Sequence, residues 1–131
     1  MRVVRNAAVA VLIASSACGS PARPPPARPD PKTVAAALDR SLARMQELVH
    51  RLRGQCTVTA KELVKLFDEM RREISDVRKL QLDPDVAREL KLEMDAYELS
   101  ARGRDDAIAA DLTPCARDPD IINVMSTMPE L

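Results

Sequence analysis

The spacing of apolar residues is the feature that most constrains how this chain can fold. Apolar side chains recur at steps of three and four residues, which places them on one face of an α-helix. The two clearest series are Leu38, Leu42, Met45, Val49 and Leu52, then Leu63, Phe67, Met70, Ile74 and Val77. No segment alternates apolar with polar residues or carries a two-residue hairpin turn. The sequence therefore predicts an all-α fold.

The boundary between the first two helices is indicated by local signals. Gly54 is a natural stop for the first helix, because glycine tolerates the left-handed conformation that ends many helices. Thr59 followed by Glu62 has the spacing of a capping box. The second helix is therefore predicted to run from about residue 60 to residue 82.

A third helix is predicted directly after Asp83 and Pro84, which suit an N-cap and a first helical position. Its core-facing series is Ala87, Leu90, Met94, Tyr97 and Ala101. Beyond that series Gly103 leaves two alternatives. The helix either continues to about Leu112 at a cost near 1 kcal/mol or breaks there, with Asp105 capping a separate short helix.

The cysteines favour the continuous third helix. Short joints make consecutive helices antiparallel neighbours, so the predicted fold is an up-down-up three-helix bundle. Cys56 follows helix one and Cys115 follows helix three, which places both at one end, where a single disulfide can close the bundle. Past this pair Asp118 and Pro119 predict a short fourth helix over residues 121–128.

A second apolar stripe, formed by Leu92, Ala96 and Leu99, lies on helix three nearly opposite its core-facing series. A helix that is apolar on two opposed faces is usually buried on both. The stripe is therefore predicted to be covered either by the C-terminal helix or by another protein. In the second case these three residues are the partner-binding site.

The amino terminus has the pattern of an export signal. Basic Arg2 and Arg5 precede an eight-residue apolar run over 7–14, which fits the core of a signal peptide and is too short to span a bilayer. The following Ser15-Ser16-Ala17-Cys18 resembles the lipobox of bacterial lipoproteins, with Ser15 in place of the usual Leu. The resemblance implies cleavage before Cys18 and lipidation of that cysteine. The alternatives are cleavage at the same bond by ordinary signal peptidase, leaving a free Cys18, and an uncleaved signal.

Three segments follow from this interpretation: a cleaved signal peptide over 1–17, a lipidated tether over 18–32 and a helical domain over 33–131. Proline occupies six of the fifteen positions from 19 to 33, so this stretch favours extended polyproline II. Lipidation of Cys18 also accounts for the odd cysteine, because it leaves one pair for a disulfide in an oxidising compartment. Gly19 is not the Asp that retains enteric lipoproteins in the inner membrane, which favours the outer membrane of the cell envelope.

Composition argues against several classes of partner and activity. The predicted domain has 15 basic and 19 acidic residues, a net charge of −4, with no basic stripe to neutralise nucleic-acid phosphates. Phe67 and Tyr97 are its only aromatic residues, so stacking platforms for bases are not expected. The serines within the predicted helices lack a nucleophile-elbow motif, and no small-molecule substrate is evident. We therefore expect no enzyme activity and no nucleic-acid partner.

Metal and redox chemistry is weakly indicated. His50, the only histidine, falls in the last turn of helix one, where a cation complements the helix dipole. Met125 and Met128 have a spacing that soft-metal sites use, but methionines at helical spacing are more often core filler. The cysteines form no C-x-x-C motif. No metal or cofactor site is predicted.

The predicted layout is similar to that of the small helical pilotins of type II secretion. Those are disulfide-bonded lipoproteins that escort secretin subunits by gripping an amphipathic helix. The similarity implies a lipid-anchored module that binds another protein. The alternative is a structural homo-oligomer in which the stripe on helix three pairs with its own copy, and a third hypothesis is a soft-metal carrier.

Overall fold

A computed structural model describes residues 28–131, and the predicted signal peptide and Cys18 lie outside this range. The described residues form four α-helices and no strand, which confirms the all-α prediction. The helices are α1 (Pro31–Arg51), α2 (Cys56–Gln81), α3 (Ala87–Leu112) and α4 (Pro119–Met125). A short 3-10 turn, Thr113–Cys115, connects α3 to α4.

Helix α1 begins inside the segment that the sequence assigns to the tether. The Asp30 side chain accepts a hydrogen bond of 3.1 Å from the backbone N–H of Thr33, and Pro31 occupies the first turn. The same Asp-Pro pattern occurs at residues 83–84 and 118–119, where the sequence predicts helix starts. The folded domain therefore starts two residues earlier than the predicted boundary at residue 33.

Helix α1 ends where glycine was expected to end it. Gly54 has φ +82°, a left-handed conformation that other residues adopt only with strain. The backbone N–H of Gln55 donates to the carbonyl of Leu52 at 2.8 Å, which closes the joint. The predicted stop is confirmed.

The predicted start of α2 is wrong, because the capping box does not form. Helix α2 begins at Cys56, and Thr59 lies buried within its first turn. The Thr59 hydroxyl donates to the carbonyl of Gln55 at 2.9 Å instead of capping a backbone N–H. Glu62 pairs with Lys65 on the surface. A threonine can satisfy a carbonyl one turn back, and here that interaction prevails over the capping role.

Helix α3 starts three residues later than predicted and continues as far as predicted. The Asp83 side chain accepts from the backbone N–H of Asp85 at 3.0 Å, but it caps a turn that precedes the regular helix. Val86, at φ −110° and ψ −7°, separates that turn from the helix. The helix then passes through Gly103 without a break. The continuous alternative is therefore correct.

Helix α4 has the predicted N-cap. The Asp118 side chain accepts from the backbone N–H groups of Asp120 and Ile121 at 3.0 and 3.1 Å. Regular helix ends at Met125, about one turn before the predicted end at residue 128. Both Asp-Pro signals that cap helices in this molecule place an acidic side chain at the positive end of the helix dipole.

The core forms two clusters joined by Tyr97. One cluster centres on Phe67 and Met45, which are fully buried, and includes residues of all four helices. The other centres on Leu38 and Val77 and involves α1, α2 and α3. Tyr97 packs against both clusters, and burial, together with nearby carboxylates, raises the pKa of its phenol. The two apolar series of α1 and α2 thus face the core, as their spacing predicted.

Candidate interaction surfaces

Helix α4 covers α2, not the second apolar stripe of α3. Ile121 and Val124 of α4 are buried in the same cluster as Ala60 and Leu63 of α2. Of the two predicted alternatives for covering the stripe, the one in which the C-terminal helix folds back over it is therefore wrong. The apolar face of α4 is satisfied elsewhere, so the stripe must be covered by something else or stay exposed.

The stripe is exposed among the described residues. Leu92 and Leu99 retain 64% and 71% of their accessible surface, and Ala96 between them is also exposed. The opposite side of α3 is buried through Leu90 and Met94. The structure therefore places the three predicted partner-binding residues together on one solvent-facing surface of a regular helix. With Ala96 between them, the two leucines form a small apolar patch on the exposed side of α3.

A shallow groove adjoins this stripe on the side of α1. It has a volume of about 270 Å³ and lies where Ala35 and Ala36 of α1 face Ala96 and Tyr97 of α3. Small side chains on both helices keep this groove open. The surface available to a partner is therefore a ridge of two leucines beside a depression lined by alanines and by the charged residues Lys32, Asp39 and Glu93.

The predicted disulfide is present at one end of the helical domain. Cys56, the first residue of α2, is bonded to Cys115 in the turn after α3, with their Cα atoms 5.5 Å apart. Cys115 is buried, with 2% of its surface exposed. The bond closes 59 residues of chain and joins the start of α2 to the end of α3. Both cysteines are structural, and neither carries a free thiol.

His50 contacts a residue that the sequence did not point to. Its Nδ1 lies 3.0 Å from Oδ2 of Asp111, and since a carboxylate only accepts, the ring nitrogen donates. Arg53 approaches the other oxygen of Asp111 at 3.9 Å. The predicted position of His50 in the last turn of α1 is correct. The histidine thus joins the ends of α1 and α3.

Glu73 of α2 is a partly buried carboxylate that faces α1. Its Oε1 accepts a hydrogen bond of 2.9 Å from the Ser41 hydroxyl, while its Oε2 is buried without a partner. Burial is the main cause that raises the pKa of this carboxyl, and Glu69 one turn away adds to the effect. The only sequence signal was its place next to Ile74 of the core series.

The surface ion pairs include pairs within one helix at i, i+3 and i, i+4 spacing and pairs between helices. Asp68 pairs with Arg71 at 2.6 Å and not with Arg72. Between helices, Arg44 pairs with Glu69 at 2.6 Å. A long charged side chain can reach several oppositely charged neighbours, and the local geometry determines which pair forms. Each such pair contributes only a few tenths of a kcal/mol to the free energy of unfolding.

Residues 28–131 contain no group of three or more His, Cys, Asp or Glu side chains arranged to hold a metal ion. Met45 and Met70 are buried in the core, where they fill space between helices. None of the described helices is long and apolar enough to cross a bilayer. The chain matches no protein-family model, no curated protein and no solved structure.

Proposed function

We propose that this chain is a lipid-anchored lipoprotein of the bacterial cell envelope, favouring the outer membrane, whose helical domain binds another protein. The observation that carries the binding function is the exposure of Leu92 and Leu99 on a regular helix. Each leucine exposes well over half of its surface. The apolar residues of α4 do not cover them, because they pack against α2. A partner that covers both leucines gains the transfer free energy of two large aliphatic side chains.

The anchor is supported by the sequence pattern that ends at Cys18. A lipidated Cys18 is followed by twelve residues before α1 begins at Pro31. A polyproline-type chain of this length extends about 37 Å. The helical domain is thus held near the membrane but free to meet a partner in the same compartment.

We also infer that α1, α2 and α3 run up, down and up. Helices α1 and α2 are antiparallel, because a later residue of α1 contacts an earlier residue of α2: Ser41 contacts Glu73, and Arg44 contacts Glu69. Helices α1 and α3 are parallel, because later residues of α1 contact later residues of α3. The pairs are Asp39 with Ser100, Gln46 with Arg104, and His50 with Asp111. This order places the disulfide at the end remote from the tether.

The test replaces Leu92 and Leu99 by Glu in the full chain. Because both side chains are exposed, the double variant should keep its melting temperature, with a change in unfolding free energy within about 0.5 kcal/mol for each site. A photo-crosslinking amino acid at Ala96 should give a discrete crosslinked product in intact cells, and the double variant should lose it. The matched control is Leu82→Glu, since Leu82 is 85% exposed but lies outside the stripe.

Light scattering on the purified protein separates the two kinds of partner. A monomer whose crosslink contains a second protein supports the proposed binding module. A dimer that the double variant dissociates would show instead that the stripe pairs with its own copy, which is the structural homo-oligomer. If the double variant keeps its crosslinks and its oligomeric state, the stripe is not an interface and the proposal fails.

A further inference from the structure

The residues after α4 form a strap along α2. Thr127–Leu131, called the strap here, has no regular helical structure beyond a turn at its start. Nη2 of Arg71 donates to the carbonyl of Thr127 at 2.8 Å, and Nη2 of Arg78 donates to the carbonyl of Glu130 at 3.3 Å. Both hydrogen bonds go to the main chain. They therefore hold a peptide backbone irrespective of which side chains it carries.

The strap borders a cleft that it does not fill. The cleft has a volume of about 400 Å³, and its walls come from α1, α2, α3 and the strap. Its floor includes core residues Leu38, Leu42 and Ile74. On the strap side, Met128 and Pro129 are only half-buried. These three floor residues retain 5% or less of their surface, and the open volume above them is bordered by the strap and by Glu98, Arg102 and Asp105 of α3.

The spacing of the two arginines matches an extended peptide. Arg71 and Arg78 are seven residues apart on α2, which is about 10.5 Å along the helix axis. Their acceptors, Thr127 and Glu130, are three residues apart, which is about 10 Å in an extended chain. The ion pair of Arg71 with Asp68, at 2.6 Å, helps to orient its guanidinium. Helix α2 therefore presents two donors at a spacing that an extended ligand backbone can match, whereas the strap itself begins in a turn in which the N–H of Met128 donates to the carbonyl of Met125 at 3.2 Å.

We propose that the cleft between α2 and α3 is a peptide-binding site and that the strap is its resident occupant. The ligand is an extended segment of a partner protein whose apolar side chains take the places of Met128 and Pro129. Arg71 and Arg78 hold its carbonyl groups, as they now hold those of the strap. Such a segment displaces the strap by filling the cleft more completely. This site lies apart from the stripe on α3 and does not depend on the function proposed for it.

The experiment supplies the strap as a separate peptide. The probe is an amidated peptide with the sequence of residues 126–131 and an amino-terminal fluorescein, and fluorescence anisotropy measures its binding to the chain ended after Ser126, which lacks the whole strap. The truncated chain should bind the peptide saturably, and the full chain at least about tenfold more weakly, because its site is occupied. Arg71→Gln or Arg78→Gln in the truncated chain should weaken binding by about fivefold each.

Arg72→Gln is the matched control, because Arg72 is the exposed neighbour of Arg71 and makes no hydrogen bond to the strap in the described residues. This variant should bind the peptide as the truncated chain does. Circular dichroism and the melting temperature of each variant establish that the helices are intact. If truncation unfolds the protein, Met128→Asp in the full chain takes its place, since it loosens the strap and leaves α4 complete.

Three results would overturn the proposal. The first is no saturable binding of the peptide to a folded variant with a loosened or missing strap. The second is equal affinity of the full and the truncated chain, which would show that the strap does not compete. The third is a full chain that forms dimers which truncation abolishes, because the strap of a second copy would then occupy the cleft.

Discussion

The Ser41 hydroxyl donates a 2.9 Å hydrogen bond to Oε1 of Glu73, and Oε2 of the same carboxylate is buried without a partner. Half of this carboxyl group is thus satisfied across the α1–α2 interface, and half is not. Burial raises the pKa of Glu73 above its ordinary value of 4.5. The ionised form is consequently disfavoured in the folded state relative to the unfolded state.

Replacing Glu73 by Gln should stabilise the protein at neutral pH. The penalty of the buried charge is present above the raised pKa and disappears as the pH falls through it toward 4.5. The glutamine keeps an acceptor for Ser41 and removes the charge, so the melting temperature at pH 7 should rise by roughly 2 to 5 °C. Thermal unfolding followed between pH 3.5 and pH 7 should show the advantage shrinking toward acid pH.

Glu69→Gln is the matched control, one turn earlier on α2. The hydrogen bond from Arg44 lowers the pKa of the Glu69 carboxyl below 4.5, so this group favours folding above that value and loses its contribution as the pH falls. The substitution should therefore not stabilise the protein at pH 7. Equal shifts for both variants would contradict the assignment of the penalty to the buried oxygen of Glu73.

The disulfide should account for a large share of the stability. In the chain-entropy account, closing a loop of 59 residues contributes about 4 kcal/mol. Reduction, or Cys56→Ser with Cys115→Ser, should lower the melting temperature by many degrees. Thiol counting on the denatured, unreduced Cys18→Ser chain should find no free thiol, and two reactive thiols would show that the bond is absent.

The two described glycines should respond to alanine in opposite directions. Gly103 lies within α3, and a Cβ added there meets nothing within 4 Å. Gly103→Ala should therefore stabilise the protein by about 0.5 to 1 kcal/mol. Gly54 has φ +82°, so Gly54→Ala should destabilise it by about 1 to 2 kcal/mol, although its Cβ also meets no atom. Urea unfolding of both variants makes the comparison, and a destabilising Gly103→Ala would contradict a regular helix there.

Lipidation of Cys18 is tested in cells. The mature chain should partition into detergent, and Cys18→Ser should accumulate as an unprocessed precursor, because the lipoprotein peptidase needs the modified cysteine. Immunoblotting of membrane and soluble fractions detects both forms. Efficient processing of Cys18→Ser to a soluble protein would instead assign the cleavage to ordinary signal peptidase.

Local signals predicted much of the fold because they act within one or two turns of chain. The apolar series of α1 and α2, the stop at Gly54 and the N-cap at Asp118 each depend on neighbours close in sequence. The signals failed where a side chain had a competing contact. The Thr59 hydroxyl donates to the carbonyl of Gln55 instead of capping the helix. The backbone of Val86, at φ −110° and ψ −7°, places the start of α3 at Ala87, three residues after the predicted position.

The sequence by itself determined the helical class, the faces that carry apolar residues and the cysteine pair, because helical periodicity and short joints depend only on chain geometry. Tertiary structure alone decided which surface covers which. An apolar helix face predicts burial, but it does not predict which element will cover it. That α4 packs against α2 is therefore seen only in the tertiary structure. The same holds for the buried oxygen of Glu73 and for the strap, since both arise where residues distant in sequence meet.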